Sequence, residues 1–151
     1  MTIREKATLI DQFADSYNLS HKRKNFPQKL VGELVRLLFP GSSYLGHGAF
    51  KYAYRISSRK RDLVLKVGRA SSISRDLRTY KRLPLNIRNR YFAKIYWRTK
   101  YTMLQKFGKN GNIHDEDLAK LRKVAKRHGL SDIGARNVKR IDGKFKIVDA
   151  L

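Results

Sequence analysis

The sequence contains no cysteine, which removes disulfides and thiolate metal sites from consideration and fits a reducing interior. Apolar runs are short: none approaches the roughly 20 residues that a membrane-spanning helix needs. The first stretch, "MTIREKATLIDQFADSY", is charged throughout and holds no continuous apolar segment of the signal-peptide kind. An intracellular protein with no membrane partner is therefore expected. There is no internal repeat and no low-complexity segment. Carboxylates are scarce as well, with 12 Asp and Glu against 35 Lys and Arg, for a formal net charge of +23. Such an excess attracts polyanions from a distance, whether nucleic acid, nucleotides, an acidic protein or an anionic surface. The bases are spread through "RISSRKR", "RDLRTYKR", "RNRYFAKIYWRTK" and "KLRKVAKRH", so charge supports polyanion affinity without marking a site.

What remains is enough to fold. The 151 residues match one domain with a core of its own, and 41% of them are hydrophobic. Residues 2 to 17 and 27 to 39 read as two helices. In the second, Leu30, Val31, Leu34, Leu37 and Leu38 recur at helical spacing behind Pro27. Three strands are expected next, in "SSYLGHGAF", "KYAYRIS" and "LVLKVG". A helix follows in "SSISRDLRTYKRL", where Ile73, Leu77, Tyr80 and Leu83 would share a face. "FAKIYW" and "YTMLQKF" read as two more strands. "HDEDLAKLRKVAKRHG" has acids in its first turn, bases in its last and Gly129 just beyond, as a helix should. "NVKRI" and "KFKIVD" flank Asp142-Gly143, a strong hairpin turn. The expectation is mixed α+β with mostly antiparallel strands.

Four stretches could carry chemistry. Gly46 and Gly48, in a turn between two strands, would let backbone approach a phosphate, since neither has a Cβ. A strand, not a helix, follows them, which argues against dinucleotide binding. Lys66 lies inside the apolar run "LVLKVG", where an ammonium is costly unless it meets an anion. Asp76 is the sole acid between Lys66 and Asp115 and so the sole local candidate to hold that lysine. Asp132 and Asn137 would share a loop, the first suited to accept a proton from a hydroxyl, the second to bind Mg²⁺. Asp149 emerges from the apolar strand "FKIV" beside them.

The set resembles the protein-kinase-like fold, in the manner of its atypical RIO-like or aminoglycoside-phosphotransferase-like members. The residues that carry the resemblance are "GHGAFKYA", Lys66 in "LVLK", "SDIGARN" and the final "DAL", in the family's order over roughly residues 42 to 151. It implies a kinase-like N-lobe over 41–108, with an antiparallel sheet and one regulatory-type helix. A helical extension would precede it at 1–40, and a reduced C-lobe would fill 109–151 and end at the metal-binding Asp. It implies that Gly46 and Gly48 cover the phosphates of ATP and that Lys66 contacts them, steadied by Asp76. Leu45, Ala53 and Val64 would wall the adenine, with "MLQKF" as hinge. Asp132 would position or deprotonate the acceptor, and Asn137 and Asp149 would hold Mg²⁺. The sequence departs from the family at Lys51, which replaces the third loop glycine, and at Asp76, shorter than the usual Glu. It departs again at Leu130-Ser131, where His-Arg is usual, and at Ala150, where Phe is.

The function expected on this basis is Mg·ATP-dependent phosphoryl transfer to a Ser or Thr hydroxyl of a protein substrate or of the chain itself. The competing expectation is a catalytically weak pseudokinase scaffold whose basic surface binds nucleic acid or an acidic protein. A kinase-mimicking inhibitor is a third, which nothing in the sequence tests.

Overall fold

The computed structural model describes residues 1–21, 27–48, 50–131 and 133–149. The chain divides into two compact units, one formed by 1–77 and 95–106, the other by 78–94 and 107–151.

The first unit opens with α1 (Ile3–His21). Thr2 and Glu5 form a reciprocal cap at its start: the Glu5 N–H donates to Thr2 Oγ1 and the Thr2 N–H to Glu5 Oε2, each at 3.1 Å. Two of the helix's orphan donors are thereby satisfied. Helix α2 (Gln28–Leu38) starts directly after Pro27, whose φ of −62° suits an entry turn. Strands β1 (Ser43–His47), β2 (Lys51–Ser58) and β3 (Arg61–Gly68) then form an antiparallel meander. Helix α3 (Ala70–Arg82) follows, and β4 (Ile95–Arg98) and β5 (Thr102–Lys106) complete the sheet in the order β1-β2-β3-β5-β4.

Every pairing in this sheet is antiparallel, and the period-2 alternation of strands sorts its side chains onto two faces. Tyr54 and Ile56 of β2, Leu63, Leu65 and Val67 of β3, and Leu104 of β5 join Ile10 and Ala14 of α1 and Val31 and Val35 of α2 in one core. Full burial of a Leu or Val stabilises by about 1.5–3 kcal/mol, so Leu65 and Val67, both wholly buried, anchor this layer. Polar bonds add a tether. Asp11 of α1 accepts from Thr99 Oγ1 at 3.0 Å and from the Tyr101 N–H at 2.9 Å, which closes the β4–β5 turn. Asp15 accepts from Lys100 Nζ at 2.7 Å and Tyr101 Oη at 2.6 Å. Those bonds, Lys100 first, hold the Asp15 carboxyl below its ordinary value.

In the second unit α4 (Leu85–Tyr91) follows Pro84. The sequence reading has no helix here. It starts a strand at Phe92, whereas β4 begins at Ile95. Phe92 is instead buried in this unit's core and forms a parallel bridge to Ile147, with the Ala93 N–H donating to the Ile147 carbonyl at 2.9 Å. The apolar side chain suits either role; the short basic run "NIRNR" carried no periodic signal to separate them. Helix α5 (Asp115–Arg127) places Leu118, Leu121 and Ala125 in the same core. It ends on Gly129 at φ +73°, with Gly129 N–H donating to Lys126 and Leu130 N–H to Ala125, both near 3 Å. That is the left-handed glycine stop its sequence foretells. A 3-10 turn at Ala135–Asn137 leads into the hairpin of β6 (Val138–Ile141) and β7 (Lys144–Ile147). Asp142 and Gly143 both have positive φ, 53° and 77°, as a type I′ turn requires.

The expected α+β class with antiparallel sheets is what the molecule has. The helix expected at 2–17 is longer, reaching His21, and α4 is an addition to the expected order.

Candidate functional site

The sheet face of the first unit that points away from α1 and α2 gathers most of the residues singled out there. Ala53 on β2 pairs with Lys66 on β3, which pairs with Met103 on β5, so the three lie side by side across the sheet. Gly46 on β1 is the other partner of Ala53. Val64, two residues before Lys66, shares the face and is 8% exposed. Lys66 itself is 7% exposed, an ammonium held within an otherwise apolar strand because the chain's alternation directs it here.

The glycine turn has a specific shape. Leu45 sits at a bulge between Tyr44 and Gly46 and is exposed, and Gly46 takes φ +146°, a value open to glycine and strained for other residues. The Gly48 N–H donates to the Lys51 carbonyl at 3.0 Å, so this donor closes the turn. Around Gly46 no atom of the described residues lies within 4 Å of where a Cβ would stand.

Lys51 is the residue that sequence reasoning undervalued. As a departure from a glycine pattern it looks like a surface loop residue, yet it is 6% exposed. Its ammonium donates to the Asp76 carboxylate on α3, whose side chain is 9% exposed. Its strand neighbour is Gly68, where an added Cβ would fall 2.2 Å from the Phe50 carbonyl oxygen and 2.7 Å from the Lys51 side chain. Gly68 thus clears the volume through which Lys51 reaches α3. The missed signal was parity: Lys51, Ala53 and Arg55 alternate in "KYAYR", so the register that puts Ala53 on the Lys66 face carries Lys51 with it. Arg69 adds a further cation, its guanidinium lying 3.9 Å from the Phe50 ring centre.

The second unit holds the expected metal residues. Asn137 ends the 3-10 turn, and its carboxamide oxygen accepts the Gly134 N–H at 3.0 Å. A carbonyl oxygen has two lone pairs, so one acceptor position remains beyond that bond. The Val148 N–H donates to the Asn137 carbonyl at 2.8 Å, which brings the chain entering Asp149 alongside Asn137. Asp149 is half-buried. Among the described residues no three His, Asp or Glu side chains cluster as a self-sufficient metal site. An Asn and an Asp supply hard oxygen donors, and Mg²⁺ is commonly held by one or two carboxylates plus phosphate, so the donor set fits that ion. Asp132, the expected acceptor-positioning residue, lies outside the described residues. Among the described residues no helix is long and apolar enough to cross a membrane.

No family model matches the chain, and no curated protein matches it. Among solved structures it is similar to Rad53 1–466 in complex with AMP-PNP, at 17% identity and a TM-score of 0.48. The match covers 83% of this chain and 43% of that one, so the chain spans less than half the length of the protein it resembles. A likeness of this degree carries no argument about fold or activity, and the functional reading rests on the residues of this chain.

Proposed function

We propose that the protein is an ATP- and Mg²⁺-dependent phosphotransferase of the protein-kinase-like kind, acting on a Ser or Thr hydroxyl of a protein or of itself. The observation that carries the reading is Lys66: a buried ammonium in register with Ala53, beside a strand turn built on Gly46. A buried cation in an apolar strand is stabilised by an anion, and phosphate is the anion to which a glycine turn gives access. The antiparallel sheet, with α3 following directly on its third strand, is compatible with the N-lobe that the sequence motifs imply.

In this reading Lys66 neutralises charge on the nucleotide phosphates, while Ala53 and Val64 offer a flat apolar surface to the base. Leu45, exposed at the bulge, is the third such contact. Asn137 and Asp149 hold Mg²⁺, which when bound offsets phosphate charge. Asp132 accepts the proton of the attacking hydroxyl. Phosphoryl transfer asks for positioning and charge neutralisation more than for covalent chemistry, so a small residue set suffices.

The test is transfer from γ-labelled ATP to the chain itself and to a mixed Ser/Thr peptide pool. Lys66→Ala and Asp132→Asn should each lower the rate by about a hundredfold or more. Unchanged transfer in both variants would remove these role assignments.

A further inference from the structure

The chain's longest stretch without an acid runs from Leu77 to His114. Its part in the second unit, residues 78–94, holds six bases, four of them arginine. By contrast residues 1–21 and 27–39 interleave four bases with four acids. The acids of the second unit all come later in the chain, from Asp115 onward. Two helices carry most of the acid-free bases. In the last turn of α3, Arg78, Lys81 and Arg82 are exposed, and their i, i+3, i+4 spacing puts them on one face. Only Leu83 and Pro84 separate that turn from α4, and the Arg88 guanidinium lies 5.1 Å from the centre of the Tyr80 ring, so the two helices adjoin. None of the seven residues of α4 is buried. It turns Ile87, Arg88 and Tyr91 partly inward and leaves Leu85, Asn86, Asn89 and Arg90 exposed. A helix this short is marginal by itself. Lys146 of β7 secures its end by donating to the Asn89 carbonyl at 2.8 Å, which brings a further cation there. The Arg90 guanidinium lies 5.2 Å from the centre of the half-buried Tyr91 ring, so the exposed side of α4 carries a cation together with an aromatic plane.

We propose that this face of the second unit binds a single-stranded nucleic acid, with Arg78, Arg82 and Arg90 on its phosphates and the Arg90–Tyr91 pair as a platform for a base. Arginine suits the first role because its planar fork meets a phosphate with two parallel hydrogen bonds. A flat cation–ring pair suits the second, because every base has a π-face to lay on it. Asn86 and Asn89, exposed beside Arg90, add amide donors and acceptors of the kind that meet base edges. An acidic peptide would answer the charge but has no flat faces for the aromatic pair, so a nucleic acid is the better complement. The inference stands apart from the phosphotransferase reading. It uses neither Lys66 nor Asp149, and loss of ATP binding would leave it untouched.

The test follows the fluorescence anisotropy of a labelled, mixed-sequence DNA single strand of about 20 nucleotides, long enough for one site, as the full chain is added at several salt concentrations. Arg82→Gln with Arg90→Gln should weaken binding about tenfold and flatten the logarithmic salt slope by about 1.4, two phosphate contacts at about 0.7 each. Lys120→Gln with Lys123→Gln removes the same charge from exposed positions of α5 and should cost about twofold or less. All four positions are exposed, so the fold is not at stake. Equal losses in the two pairs would mean that binding follows net charge alone, and would overturn the proposal. Polyglutamate of similar length stands in for an acidic protein, and a duplex of the same sequence for double-stranded DNA. Either one bound more tightly than the single strand overturns the proposal, as does a wild-type chain that leaves the single strand unbound.

Discussion

Tyr54 shows what single positions contribute. Its hydroxyl is buried with no hydrogen-bond partner among the described residues, and its ring lies 5.6 Å from that of Tyr44. Burial first, then the neighbouring tyrosines, pushes its ionisation up to about 12. Because the folded value lies above the ordinary 10, the associated stability is intact below pH 10 and is lost as pH rises from there towards 12. Replacing Tyr54 by Phe removes a hydroxyl whose unsatisfied burial costs about 1–3 kcal/mol. Melting curves from pH 7 to 11.5 should therefore show Tyr54→Phe at least as stable as the wild type at neutral pH, with a shallower alkaline decline. A variant several degrees less stable at pH 7 would mean that the hydroxyl has a favourable partner.

Lys51 teaches a different lesson at the same scale. Sequence reasoning named Lys66 and Asp76 as charged residues of interest and expected them to serve each other. The structure adds Lys51 to that pair as a donor to Asp76. A motif pattern reads a lysine at a glycine position as a loss; strand parity, which decides where the side chain goes, reads it as a gain.

At the level of elements, two hairpins contrast. Asp142-Gly143 has the residues that a type I′ turn favours, and its position was legible from the sequence. The β2–β3 turn has the same left-handed backbone at Arg59 and Lys60, with φ of 49° and 64°, yet neither residue is suited to it. Left-handed backbone costs an ordinary residue about 1–2 kcal/mol. Changing Arg59-Lys60 to Asn-Gly should raise the urea midpoint by an amount equivalent to about 1 kcal/mol, with the denaturant slope unchanged. An unmoved midpoint would mean that the two basic side chains offset the strain through contacts of their own.

Helix periodicity was readable wherever amphipathic segments ran long, as in α2, α3 and α5. It failed at α4, seven residues in which none is buried, so no apolar stripe announces a helix. It failed at Phe92 for a related reason. An apolar residue at the end of a short helix and one at the start of a strand look alike until a distant partner, here Ile147, settles which backbone it joins.

For the whole molecule, α+β class and antiparallel sheets followed from the strand-rich middle of the chain and its turn residues. The resemblance implied an N-lobe over 41–108 and a reduced C-lobe over 109–151; residues 78–94 instead group with 107–151, where Leu83 and Phe92 join the core of α5 and the β6–β7 hairpin. The net charge of +23 forecast affinity for polyanions but not its location. Among the described bases, Lys51 and Lys66 are the buried ones, on one sheet face of the first unit.

The most direct measurement of the central claim is the melting temperature of the full chain with ATP, with and without Mg²⁺, for the wild type and Asp149→Ala. A ligand present at 100 times its Kd stabilises by about 2.7 kcal/mol, a shift of several degrees for a chain of this size. The account predicts such a shift for wild type with Mg·ATP, and its reduction both without the metal and in Asp149→Ala. No shift in any arm, together with salt-sensitive, sequence-independent binding of nucleic acid, would contradict it.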